Sequence, residues 1–288
     1  MSKIFFTKMT GAGNDFIFID RKKNPDVDLK DENIRKLCNR RFGIGADGLI
    51  LIDDTSGYDY KMSYFNSDGL AGSLCANGAR CSIRFAQYTK RLKNNNASFV
   101  VDDIRYSGKI IDDKIIQFNL NTPKDIFLNK ELRTSDRIIN FSFVNTGSHH
   151  VVVKMDDIFD TQTGKKISFN NISEIPVYQL GKEIRYHDQF NPDGTNVNFI
   201  QIKGDVIYIR TYERGVEDET LACGTGSVAS AIILHLSENF NPPITLKTFG
   251  GDNLIVNFSI VNQNVENLTI TGPAIIVFEG TVNRDLFF

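Results

Sequence analysis

Basic residues are not in excess in this chain: 33 lysines and arginines face 35 aspartates and glutamates, a net charge of −2. Binding driven by phosphate neutralisation needs a clear basic surplus, so no nucleic-acid partner is expected. Long apolar runs are also missing, and none approaches the roughly 18 residues that cross a bilayer, so no membrane partner is expected. Met1 to Met9 enter patterned sequence directly, without the apolar core and small-residue cleavage site of a signal peptide, and a cytoplasmic location is expected. The four cysteines, at positions 38, 75, 81 and 223, are too few for a disulfide framework. No Cys-x-x-Cys pair occurs, and the histidines at 149, 150, 187 and 235 show no ligand spacing with the cysteines, so no metal is expected. Each cysteine is left as core filler or reactive thiol.

What is present is the composition of a globular enzyme, 41% hydrophobic and 24% charged over 288 residues, enough for two domains of roughly 140. Two glycine-bearing segments resemble each other. The first runs from Asn66 through Cys75-Ala-Asn-Gly78 to Cys81 and Tyr88, and the second from Glu213 through Cys223-Gly-Thr-Gly226 into Ser-Val-Ala-Ser-Ala-Ile-Ile-Leu. Each follows an alternating strand, Tyr60 to Phe65 or Val206 to Tyr212, and each enters a helix-like stretch of small and apolar residues. After the first come Phe99-Val-Val, a turn expected at Ser107-Gly108, and a strand from Lys114 to Leu120. After the second come Ile244-Thr-Leu-Lys, a turn at Gly250-Gly251, and Leu254 to Phe258. The cysteines stand 223 − 75 = 148 residues apart, about half the chain. A duplicated α/β unit accounts for this order, with one central helix per half and a cysteine at each helix start.

Gly43-Ile-Gly-Ala-Asp-Gly48 fits the dinucleotide pattern G-x-G-x-x-G, but in the wrong context. That fingerprint needs a strand before and a helix after, because the pyrophosphate sits on the helix N-terminus. Here a helix-like run, Asn33 to Arg41, comes first and a strand, Leu49 to Ile52, follows.

A helix start leaves backbone N–H groups unpaired and carries partial positive charge. A cysteine placed there has its thiolate stabilised, and the neighbouring Ala76, Gly78, Gly224 and Gly226 let a carboxylate approach the amides closely. Two such helices could present two tunable thiols and two sets of donors to one small anion. That arrangement suits taking a proton from one face of an amino acid's α-carbon and returning one to the other, with one cysteine as thiolate and one as thiol. No cofactor is then needed. Taken alone, a cysteine is more often a small buried hydrophobe, and Cys81 and Cys38 read as core. His150 reads equally well as a strand start or a site residue.

Seven motifs occur in order: Lys8 to Phe16 (KMTGAGNDF), Arg41 to Asp47 (RFGIGAD), Asn66 to Gly69, Cys75 to Cys81, Gly147 to His150, Asn196 to Phe199, and Glu213-Arg-Gly215 followed by Ala222 to Gly226. Together they resemble the diaminopimelate epimerase family over nearly the whole chain. The resemblance implies epimerisation of LL-2,6-diaminopimelate to the meso form, with Cys75 and Cys223 as paired base and acid. It implies that Ala76, Asn77, Gly224 and Thr225 offer donors to the reacting carboxylate. Asn14, Asn66, Asn196 and Arg214 would bind substrate, Glu213 would lie beside the reacting amino group, and His150 would support the site. Departures are Ala76 for glycine, Thr10 for histidine, Ser148-His149 for Asn-Pro, and Gly48 where some members carry glutamine.

The expected fold is α/β (α+β): two pseudo-symmetric halves, each a curved sheet wrapped around a central helix, with the active site in the cleft between them. Residues 1–121 with 273–288 form the lobe carrying Cys75, and residues 122–272 the lobe carrying Cys223. The family resemblance further implies a homodimer. Alternatives are a cofactor-independent racemase of another amino acid on the same scaffold, and a non-catalytic binder of a small zwitterion. The second has no use for two thiols.

Overall fold

The computed structural model describes residues 3–72 and 74–287. The protein is mixed α/β and mostly strand, with eighteen strands and four α-helices among the described residues. None of those helices is long and apolar enough to cross a membrane. The chain divides into two compact units, Met1–Leu120 with Thr271–Phe288, and Asn121–Ile270.

In the first unit the strands are β1 (Lys3–Gly11), β2 (Asn14–Asp20), β3 (Gly48–Asp53), β4 (Tyr60–Asn66), β5 (Asn96–Val101), β6 (Ile104–Ile110) and β7 (Ile115–Asn119), joined by the last strand of the chain, β18 (Ile275–Asn283). They pair in the order β18-β1-β2-β3-β4-β5-β6-β7, with β2/β3 and β4/β5 parallel and the rest antiparallel. Helix α2 (Ala76–Tyr88) touches β1, β2, β3, β4, β6, β7 and β18. Strands from both ends and the middle of a sheet reach one helix only if the sheet wraps around it. The short helix α1 (Asp31–Cys38) lies against the other face and buries Ile34, Leu37 and Cys38 beside Ile17, Ile19, Leu49 and Leu51. Both faces of β2 and β3 are therefore covered, which is why their cores read as continuous apolar runs. Phe18 on β2 meets Phe85 of α2 at a ring separation of 5.0 Å.

Two expectations are corrected here. The helix expected to reach Arg41 ends at Cys38, because the N–H groups of Ile44, Gly45 and Ala46 turn back onto the carbonyls of Leu37 and Cys38. Ser107-Gly108 is no turn but the middle of β6; the turn lies at Asp102-Asp103, both with positive φ (46° and 65°), as a two-residue hairpin requires. Gly108 is there for a close approach, since a Cβ would sit 2.3 Å from Ile83 of α2.

The second unit carries β8 (Lys124–Arg133), β9 (Arg137–Asn145), β10 (His149–Lys154), β11 (Ile158–Asp160), β12 (Asn196–Lys203), β13 (Val206–Glu213), β14 (Asp218–Thr220), β15 (Ile244–Lys247), β16 (Asn253–Val261) and all but the last three residues of β17 (Asn264–Pro273). β8 pairs with β9, and both β10 and β11 also pair with β9; β10 runs parallel to β12, β12 antiparallel to β13, and β13 parallel to β15. Helix α4 (Gly224–Glu238) touches β9, β10, β12, β15 and β16, while α3 (Val177–Arg185) touches β12, β13 and β14. Period-two alternation divides β12: Val197 and Phe199 join the core that holds Leu180 and Ile184 of α3, and Asn198 points toward Gly226 of α4. Residues Gly226 to Leu234 of α4 are all buried, and a helix apolar all round must be enclosed. It ends on Asn239, left-handed at φ 58°.

Beyond α2, Arg91 turns inward and forks onto Asp20 at the end of β2, with Nη2–Oδ1 at 2.6 Å and Nη1–Oδ2 at 3.0 Å. Both side chains are buried, at 3% and 6% exposure. Removing one partner strands the other charge, so Arg91→Ala is expected to cost about 3–5 kcal/mol. The Arg91→Met/Asp20→Leu double variant should cost less, and urea denaturation midpoints compare the two. Equal losses would show that the stranded charge is not the cause.

Candidate active site

Cys75 and Cys223 are the N-cap residues of α2 and α4, both extended (φ −94°, ψ 117° and φ −109°, ψ 113°), with their carbonyls taking the first helical bonds from Ala79 and Ser227. Each helix begins there because the preceding strand and turn deliver the cysteine in a β conformation and small residues follow. In the first unit the Cys75 thiol donates to Asn14 Oδ1 at 3.5 Å, and Asn77 Nδ2 donates to the same oxygen at 3.5 Å. Both amides are oriented from behind: Asn14 Nδ2 donates to Asp47 Oδ2 at 2.5 Å, and Asn77 Oδ1 accepts from Arg80 Nη2 at 2.7 Å. Arg80 is fully buried and also donates to the Ala76 carbonyl at 3.3 Å. Asn66 ends β4, opposite Gly48. The ring of Tyr64 lies 2.6 Å from where a side chain at position 48 would begin, which accounts for the missing glutamine.

Asp47 belongs to a charged cluster. Asp15 is bonded by Lys8 at 2.7 Å and Arg40 at 2.6 Å, and Arg40 also reaches Asp47 at 2.7 Å. Burial pushes the Asp15 carboxyl up, but the hydrogen bonds and charges of Arg40 and Lys8 outweigh it and hold it at about 2. Asp47 is raised by burial and by the charge of Asp15. Burial likewise pushes Cys38 and Cys81 up to about 12.

In the second unit Cys223 Sγ accepts the Gly226 N–H at 3.4 Å, the bond of a capping side chain, and lies 3.5 Å from Thr225 Oγ1. Thr225 Oγ1 is 3.0 Å from Nε2 of His150, a fully buried residue of β10 that is thus both strand and site neighbour. Gly226 must be glycine, since a Cβ would stand 2.1 Å from Asn198 Oδ1. Asn196 is tied to backbone, donating to the His149 carbonyl at 2.8 Å and accepting the Arg214 N–H at 2.9 Å. Arg214 donates onward to the Asp193 carbonyl at 3.0 Å, and Glu213 accepts from Thr220 Oγ1 at 3.0 Å.

The fold therefore gathers Asn14, Cys75, Ala76 and Asn77 in one unit, and His150, Cys223, Gly224 and Thr225 in the other. Asn66, at the end of β4, pairs with Gly48, which in turn pairs with Phe16, and Asn196, Glu213 and Arg214 are grouped around the β13 terminus. Sequence reasoning gave no site role to Asp47, Arg80 or Asn198, and named Ser148 only as a departure from the family pattern. Arg80 had a signal, standing three and four residues after Asn77 and Ala76 on one helical face. Asn198 had another, two residues from Asn196 on the same strand face. Asp47 lay inside the segment set aside as a false nucleotide fingerprint. Among the described residues, no three His, Cys, Asp or Glu side chains are grouped to hold a metal.

Solved structures share this fold at low identity. A PhzF-family protein of Bacillus anthracis superposes with a TM-score of 0.69 at 13% identity, covering 98% of this chain and 100% of that one. A hydroxyproline epimerase of Agrobacterium vitis, crystallised with trans-4-OH-L-proline, gives 0.68 at 14%, covering 98% and 93%. By fold, then, the protein is one of the α/β proteins that include the PhzF family and this epimerase. The family model for diaminopimelate epimerase matches residues 6–106 and 142–277. Diaminopimelate epimerases of Flavobacterium psychrophilum and Chlorobaculum tepidum are 38% and 36% identical, covering 96% and 95% of this chain and 98% and 99% of theirs. The chain belongs to the diaminopimelate epimerase family.

Two outcomes follow from the electrostatics. Asp15 is depressed in the folded state, so its stabilisation is complete above its unfolded value of 3.8 and is lost as pH falls toward about 2. Asp15→Asn should flatten the stability–pH slope in that window, as measured by denaturation midpoints; an unchanged slope would refute the assignment. Cys38 and Cys81 should resist iodoacetamide at pH 8 in the folded protein and label after unfolding, as peptide mapping can check.

Proposed function

We propose that the protein epimerises LL-2,6-diaminopimelate to meso-2,6-diaminopimelate, without a cofactor, through Cys75 and Cys223 as a thiolate/thiol pair. The observation that carries the proposal is the matched placement of the two cysteines as N-caps of buried helices. Near-full-length relatives bearing the diaminopimelate epimerase name support the substrate. One thiolate takes the α-proton and the other thiol supplies a proton to the opposite face, with roles exchanged for the other isomer. That chemistry requires the thiols to address opposite faces of one α-carbon, which is the cleft arrangement of pseudo-symmetric lobes expected from the sequence. Backbone donors at Ala76, Asn77, Gly224 and Thr225 stabilise the developing enolate-like carboxylate. Asn14, Asn66, Asn196 and Arg214 hold the substrate, several of them at its distal amino-acid end, where guanidinium and amide groups suit a zwitterion. Glu213 lies beside the reacting amino group, and His150 supports the site.

The enzyme is a homodimer in this proposal, supported by the exposed apolar residues Phe5, Ile275, Val277 and Phe278 on β1 and β18. It works in the cytoplasm, where its thiols stay reduced, in lysine and peptidoglycan precursor synthesis.

The deciding measurement is α-proton exchange by NMR, with reduced protein and LL-diaminopimelate in D2O. Deuterium should enter one α-carbon with formation of the meso product. Cys75→Ala and Cys223→Ala should each lower turnover by about 10²–10⁴-fold. Exchange with a different amino acid alone would keep the two-thiol chemistry and overturn the substrate. No exchange with any amino acid would leave a zwitterion-binding protein.

A further inference from the structure

Behind Cys223 lies a row of polar side chains whose hydrogen-bond directions are forced. Asn198 is fully buried on β12. Its Nδ2 lies 2.9 Å from the Val151 carbonyl, which can only accept, so the amide cannot be flipped. Its Oδ1 correspondingly accepts from the Thr211 hydroxyl at 3.0 Å. The same Nδ2 stands 3.2 Å from His150 Nδ1, and an amide nitrogen only donates. His150 Nδ1 is therefore an acceptor. Burial first, then the charges of Arg214 and His149, lower the His150 pKa to about 3, so at neutral pH the ring carries a single proton. That proton is on Nε2, shared between Ser148 Oγ at 2.9 Å and Thr225 Oγ1 at 3.0 Å. Thr225, already accepting, has its own proton to give, and Cys223 Sγ is 3.5 Å away, where the Gly226 N–H also points.

We propose that Asn198 is a positioning residue: by holding His150 as its Nε2–H tautomer, it directs the Thr225 hydroxyl proton at Cys223 and favours the thiolate. His150 acts here as a donor through Thr225, not as the base that removes the cysteine's proton. The geometry stands by itself; its role in catalysis rests on the two-thiol chemistry proposed above. Ser148, one of the chain's departures from the family pattern, is the second acceptor of the His150 proton.

NMR of the ¹⁵N-histidine-labelled, ligand-free protein reads the tautomer, with His150 assigned by its absence in His150→Gln. A bare Nδ1 and protonated Nε2, unchanged between pH 6 and 8, are expected. In Asn198→Asp the carboxylate can only accept, so the proton should move to Nδ1 and the Thr225 hydroxyl should turn to Nε2. Ultraviolet thiolate absorbance in the Cys75→Ala background reports Cys223, since Cys38 and Cys81 are pushed up to about 12. Losing a hydrogen bond to the thiolate should raise its titration midpoint by about one pH unit in Asn198→Asp. Thr225→Val should give a similar shift, and the two changes together no further one. An Nδ1–H tautomer in the unsubstituted protein, or fully additive shifts, would overturn the proposal. Should Asn198→Asp not fold, the native tautomer and the Thr225→Val shift decide it. An unsubstituted protein with the expected tautomer but no α-proton exchange would instead sink the two-thiol reading alone.

Discussion

A buried helix has one place where its backbone cannot satisfy itself, its first turn, and both units of this protein are organised around that constraint. Helices α2 and α4 are enclosed along most of their length. An enclosed helix needs apolar or small residues on every side and a sheet that reaches around it, which is what β1 to β7 with β18 supply to α2. The N–H groups of the first turn are then the donors that remain for a ligand or a capping side chain. At Cys223 the cap is the sulfur itself, accepting the Gly226 N–H.

The polar shells behind the two cysteines solve one problem in different ways. An amide side chain has a donor end and an acceptor end, and a site that uses one end must tie down the other. In the first unit Arg80 and Asp47 do this with charge, fixing Asn77 and Asn14 so that an amide oxygen meets the Cys75 thiol. In the second unit the ties are neutral, a strand carbonyl and a threonine hydroxyl, and the chain of donors runs toward sulfur. Around Cys75 the charge of Arg80 is fully buried, whereas the Lys8-Asp15-Arg40-Asp47 cluster reaches the surface at Arg40. Burial and ion pairing therefore act against each other at Asp15, and pairing wins.

Much of this was legible in the residues. The alternation of Tyr60 to Phe65 and of Val206 to Tyr212, followed by small-residue stretches, located two strands and the helices after them, with a cysteine at each start. The order helix, Gly-rich segment, strand around residues 43–48 ruled out a nucleotide loop, and α1 and β3 have that order. What was misread came from signals with two causes. Gly108 looked like a turn glycine because turns and close contacts both demand the missing Cβ, and only the packing of Ile83 and the Gln117 carbonyl against it tells them apart. The end of α1 was hidden because returning N–H groups seven and eight residues ahead captured its carbonyls.

The sequence by itself determined the mixed α/β class, the two helix starts and the identity of the residues at them, because helix caps and strand alternation are local chemistry. Tertiary structure alone decided which side chains stand behind those residues. Asp47 and Asn198 matter through distances set by the pairing of β2 with β3 and of β10 with β12, and strand pairing across tens of residues leaves no local mark. The tautomer of His150 is the sharpest case: it depends on the Val151 carbonyl, a backbone group that no side-chain pattern can announce.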